Sequence, residues 1–165
     1  MSDPKGTMMR RILIALVGAV ALSTALAVVP SAAFADPYPC TVSRIFEPPP
    51  VPPGEVAIDL FHPPTGLYAG TVYWNQDPTP GSDLNGDGVT DPGDALIAFD
   101  GATDSCGVEG KITSIGRTAT TAGHNAPYLG PWKSGNLAED ALWLVELTIV
   151  KGSWREPVGQ VFVVS

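Results

Sequence analysis

Clusters of Gly, Pro, Asn and Asp cut this chain into short apolar runs, and that punctuation decides its fold class. Proline lacks an N–H donor and has a fixed φ. "EPPPVPPGE" (Glu47 to Glu55) therefore excludes helix and central strand, and predicts a stiff extended arm. Beyond it the runs have strand character. "VAIDLF" (Val56 to Phe61) alternates in polarity, and "LYAGTVYW" (Leu67 to Trp74) is aromatic and β-branched. The turn "HPPTG" between them predicts a hairpin. "GKITSIG" (Gly110 to Gly116), "ALWLVELTIV" (Ala141 to Val150) and "GQVFVV" (Gly159 to Val164) follow. The run from Ala141 has only Glu146 and Thr148 as polar breaks, which predicts a central strand buried on both faces. "KGSWREP" joins it to the last strand at hairpin length. At least five strands predict an all-β fold, a sandwich or an open barrel. Thr118 to Asp140 is a long polar insertion without a clear period.

The N-terminus belongs to a different category. Arg10 and Arg11 precede the apolar run Ile12 to Val29, then Pro30 and an ending Ala33-Phe34-Ala35. A basic start, an apolar middle and an A-x-A end predict a secretory signal over residues 1–35, with the mature chain starting at Asp36. A retained membrane anchor is the alternative reading of the same run. Residues 36–55 are then a proline-rich arm and 56–165 a β-rich domain. The mature part carries sixteen acids and six bases, a net charge of about −10. Such a surface repels nucleic acid and anionic lipid, and favours cations. Cys40 and Cys106 both fall in the exported part, where thiols oxidise, and two cysteines allow one intrachain pairing. The rival is a pair of free thiols, or a reactive Cys106 in "DSCG".

"DLNGDGVTDPGD" (Asp83 to Asp94) concentrates like charges that repel one another. A calcium ion takes six to eight oxygen ligands, and a chain wraps it with oxygens from alternate residues around a sharp turn. Asp83, Asn85 and Asp87 supply the first side chains, and Gly88 permits the turn. Val89 offers its carbonyl, Asp91 follows directly or through water, and Asp94 closes the shell. The competing reading is a plain turn with Asp91-Pro92 and Asp94 capping a helix. That reading gives Asp83 and Asp87 no purpose.

The run resembles the calcium loop of the EF-hand superfamily, most closely that of a dockerin repeat. In that family aspartate closes the loop and no helix enters it; "QDPTPGS" (Gln76 to Ser82) agrees. The resemblance covers about twelve residues. It implies calcium ligation by Asp83, Asn85, Asp87, Val89, Asp91 and Asp94, followed by a helix, for which only "ALIAF" (Ala95 to Phe99) is present. A dockerin has two such loops and this chain has one. Pro92 and Gly93 stand where dockerins contact cohesin, so the cohesin partner is not carried over.

Other constellations are weak. His62, in a proline turn, and His124, in the polar insertion, are expected at the surface, and no zinc or triad spacing occurs. Asp59 and Glu146 are expected to face solvent from strands. No catalytic activity is expected. Trp143 is expected in the core. Trp132, Trp154 and Tyr128 cover the core ends or form a platform for a sugar ring. The function expected is therefore an exported, extracellular β-rich protein whose Ca²⁺ acts as a structural clamp, an interaction module with a protein partner. A glycan-binding module and a protease inhibitor presenting Thr118 to Asp140 are the alternatives.

Overall fold

The computed structural model describes residues 38–165, so the expected signal at 1–35 lies outside the described residues. Pro37–Ser165 forms one compact unit, with the proline-rich arm packed as part of it. The described residues form eight strands: β1 (Glu55–Phe61), β2 (Tyr68–Asn75), β3 (Ala95–Asp100), β4 (Gly107–Ile112), β5 (Arg117–Thr120), β6 (Tyr128–Leu129), β7 (Leu142–Lys151) and β8 (Trp154–Val164). They pair antiparallel in two four-stranded sheets, ordered β1-β2-β3-β6 and β5-β4-β7-β8. The fold is a β-sandwich, not a closed barrel.

Side-chain alternation explains the packing. Leu60, Val72, Trp74, Leu96 and Ala98 of the first sheet meet Val108, Ile112, Ala119, Val145, Leu147, Ile149 and Val163 of the second. Trp74 Nε1 donates to the Val164 carbonyl at 2.9 Å, joining the sheets. The outer face of the first sheet is covered too. Tyr73, Ile97 and Phe99 project there and are packed by Phe46, Tyr68, Leu84, Leu129 and Trp132. The arm forms part of this cover, with the Tyr73 hydroxyl donating to the Pro49 carbonyl at 2.9 Å.

Two expectations are corrected. "ALIAF" is not a helix but strand β3, with every residue buried. A short apolar run fits either state, and here Leu96 and Ala98 enter the core while Ile97 and Phe99 enter the outer cluster. The strands buried on both faces are therefore β2 and β3, not the run from Ala141. In β7 the alternate positions are partly open, and Leu142 is 67% exposed. The long insertion also contains structure: β5, the two-residue β6 and a bridge from Lys133 to Leu96. The two cysteines pair as expected, with Cα atoms 5.7 Å apart across 66 positions.

Candidate metal centre

The ladder between β2 and β3 runs to its last rung, Asn75 opposite Ala95. Residues 76–94 are thus a 19-residue connection between directly paired strands. Its stem is tightly bonded. The fully buried Asn75 donates from Nδ2 to the Pro92 carbonyl at 3.0 Å and accepts from Thr79 Oγ1 at 3.2 Å. Asp94 N donates to Gln76 O at 2.8 Å, and Asp91 N to Ser82 O at 3.0 Å.

Above this stem the acidic tip curls on itself. The Asp83 carboxylate accepts the amides of Asp87 and Gly88, each at 2.9 Å. Asn85 Nδ2 donates to Asp87 Oδ2 at 2.9 Å, and Val89 N to Asp87 Oδ1 at 2.8 Å. Gly86 and Gly88 make this curl possible, with φ of +70° and +80°, where a side chain is strained. Asp83, Asn85 and Asp87 are thereby gathered on one turn. The Val89 side chain is 64% exposed.

The other two acids of the pattern are turned into the protein. Asp91 is fully buried; its carboxylate accepts from Leu84 N, from Ser82 Oγ, and from Trp132 Nε1 at 2.6 Å. Asp94 Oδ2 accepts from Leu137 N at 2.8 Å, its carbonyl accepts from Arg117, and its φ is +49°. Asp94 therefore caps no helix; it precedes a strand and pins the chain around Leu137. The structure brings together the three tip residues and sets Asp91 and Asp94 beneath and behind them.

Sequence reasoning missed one acid. Glu55 opens β1 opposite Asn75, at the loop's stem, and is 8% exposed. Its Oε1 lies 3.4 Å from Ser82 Oγ, and its Oε2 has no partner. Burial, and then the Asp91 charge, push its carboxyl up to about 7. No spacing rule links residue 55 to residue 91; only the pairing of β1 with β2 does. The donor set suits a hard divalent cation, since it consists of carboxylate, amide and carbonyl oxygens. Of these acids only Asp94 has a cation beside it, Arg117, and among the described residues the one ion pair is His62 with Asp104. Among the described residues, however, no three of these carboxylates bring ligand atoms within 4.8 Å of one another.

The opposite strand ends hold a second buried polar group. His62 is 1% exposed, not at the surface as expected. Its Nε2 lies 2.7 Å from Asp104 Oδ2, and its Nδ1 is 2.8 Å from the Tyr38 hydroxyl. Burial and then the Asp104 charge push the Tyr38 phenol up to about 12. Cys40, Cys106 and Asp104 come within 4.8 Å of one another, but both sulfurs are used in the disulfide. Asp100 lines a cavity of about 230 Å³ with Asp104, His124 and Asn125.

Burial pushes the Asp100 carboxyl up to about 7, against the Ala102 N–H bond that lowers it. An unfolded aspartate titrates at about 3.9. Between about 4 and 7 the folded chain holds a proton that the unfolded chain has released, so stability falls as pH rises through this window. Asp100→Asn removes that loss and keeps an oxygen for Ala102 N. It is expected to raise unfolding free energy at pH 8 by about 2 kcal/mol, with little change at pH 3.5. Urea titrations at the two pH values measure this; an equal effect at both would rule it out.

The loop aromatics divide between the two clusters. Trp132 packs in the outer cluster, while Trp154 packs on the core and edge-on to Tyr38 at 5.3 Å. Trp143 is only partly buried against the core. Tyr128 stacks on His124 at 3.7 Å. Asp59 is exposed, as expected. No helix among the described residues is long and apolar enough to cross a membrane, and together with the disulfide this is compatible with export. Comparison of the chain with protein-family models, with curated proteins and with solved structures returns no match.

Proposed function

We propose that this chain is an exported, non-catalytic β-sandwich that uses one Ca²⁺ as a structural clamp. Asp83, Asn85, Asp87, the Val89 carbonyl and Asp91 are its oxygen donors, in a loop that Asp94 ends. The bound ion neutralises the acids and fixes the β2–β3 connection against the arm and the Trp132 segment. The clamped loop then serves as part of a rigid surface for an extracellular partner. One observation carries this reading. A 19-residue connection between paired strands spends three left-handed glycines, Gly81, Gly86 and Gly88, and a bonded stem on an acidic tip whose Asp83 and Asp87 have no basic partner.

Thermal melting in millimolar calcium and in chelator tests the clamp. Extracellular sites often bind at about 10⁻⁴ to 10⁻³ M. In about 10 mM calcium a ligand that binds only the folded chain then adds about 1.5–3 kcal/mol, a rise in Tm of roughly 6–12 °C. Asp87→Ala is expected to abolish the rise. Trp132 fluorescence should report the same event, because its indole N–H bonds to Asp91. Identical melting temperatures in both media would end the proposal.

A further inference from the structure

At the other end of β3 from the acidic loop stands a carboxyl that plays no part in calcium binding. Asp100, the last residue of β3, is 2% exposed. Its Oδ1 accepts from Ala102 N at 3.1 Å, and its Oδ2 has no partner. Among the described residues it joins no ion pair, since His62 engages Asp104 alone. Asp100 lines the cavity of about 230 Å³, which reaches the surface at the exposed Ser105, His124 and Asn125. The walls are fixed. Asp104 Oδ1 accepts from Cys106 N at 2.8 Å, and Cys106 is held by the disulfide. His124 stacks on Tyr128, the β6 residue that pairs with Asp100.

A buried carboxyl without a partner is destabilising, and a ligand that brings both a hydrogen-bond donor and positive charge relieves it. The Asp104 charge adds to that attraction. One free oxygen suits an ammonium, a compact charge with three N–H donors, better than the planar two-pronged guanidinium. Ala102 and Ala126 offer apolar wall to a short alkyl chain. The negative net charge of the protein steers cations toward it. We propose that this cavity binds a primary ammonium group carried on a short alkyl chain, with Asp100 Oδ2 as its acceptor. The group comes from a lysine side chain of an extracellular partner or from a free amine. The site uses none of residues 83–94, so it stands whether or not the loop holds an ion.

Amide NMR titration of the disulfide-bonded chain at pH 8 tests the site, with n-butylammonium chloride as the probe. Saturable shifts of the Ala102 and Cys106 amides are expected, with a Kd of about 1–10 mM for a ligand this small. Butanol, equal in length but uncharged, is expected to give no saturable shift. Asp100→Asn is expected to weaken butylammonium binding at least tenfold. The same variant is expected to be more stable than wild type at pH 8, so the loss is not one of folding. Lysine blocked at both termini separates the two sources. Affinity within threefold of butylammonium, or better, assigns the cavity to a protein side chain; weaker binding assigns it to a free amine. No saturable shift with butylammonium, equal binding of butanol, or unchanged affinity in Asp100→Asn overturns the proposal.

Discussion

A chain with alanine at both Cys40 and Cys106 is expected to lose about 4 kcal/mol of unfolding free energy. The bridge spans 66 positions and encloses β1, β2, β3 and the acidic loop. Without it the unfolded chain regains the freedom of that whole segment, while the folded chain keeps its two sheets. The loss is large against the 5–15 kcal/mol that domains of this size typically hold. Tm should fall by roughly 15 °C. Denaturant melts of both forms measure the difference. A loss below about 1 kcal/mol would mean that the unfolded state is already compact without the crosslink.

Gly70→Ala is expected to be comparably damaging, for the opposite reason, since it acts on the folded state alone. Gly70 sits in β2 between Leu60 and Asp100. A Cβ there would stand 2.3 Å from the Phe99 carbonyl oxygen and 2.9 Å from Val108 Cγ1 of the facing sheet. The first obstacle is backbone held in a central ladder, so it cannot step aside. Overpacking typically costs about 1–3 kcal/mol, and this position should reach or exceed the top of that range. Gly110→Ala is the internal comparison, because its new Cβ meets the Val72 methyls, the nearest at 2.6 Å. Pairing Gly110→Ala with Val72→Ala should recover part of its loss, whereas Gly70→Ala has no such remedy. Equal tolerance of alanine at 70 and 110 would refute this account of how the sheets approach.

Much of the sandwich could be read from residue order, because polarity alternates wherever one strand face is open. Val56 to Phe61 obeys that rule, while Leu67 to Trp74 is marked instead by its aromatic and β-branched content. The rule fails where both faces are covered. The six residues of β3 carry no polar alternation, so only the outer cluster around Tyr73 tells a strand from a helix there. His62 misled for a related reason: a proline turn usually faces water, but Tyr38 and Asp104 close over it. In the acidic loop, the spacing located the tip but not the orientation of its last two acids. Trp132 and Leu137 arrive from the other side of β3, and they take Asp91 and Asp94 as acceptors. Glu55 had no local signal, since its neighbourhood is created by strand pairing.

The closed rung between Asn75 and Ala95 makes the loop a cassette plugged into a finished hairpin. A hairpin already zipped to its end depends weakly on the length of the segment it carries, since doubling a loop adds only about 0.6 kcal/mol of closure entropy. The tip residues 85–90, beyond the packed Leu84, can therefore diverge, shorten or be exchanged without renegotiating the scaffold. The same socket accepts a different insert on an unchanged frame.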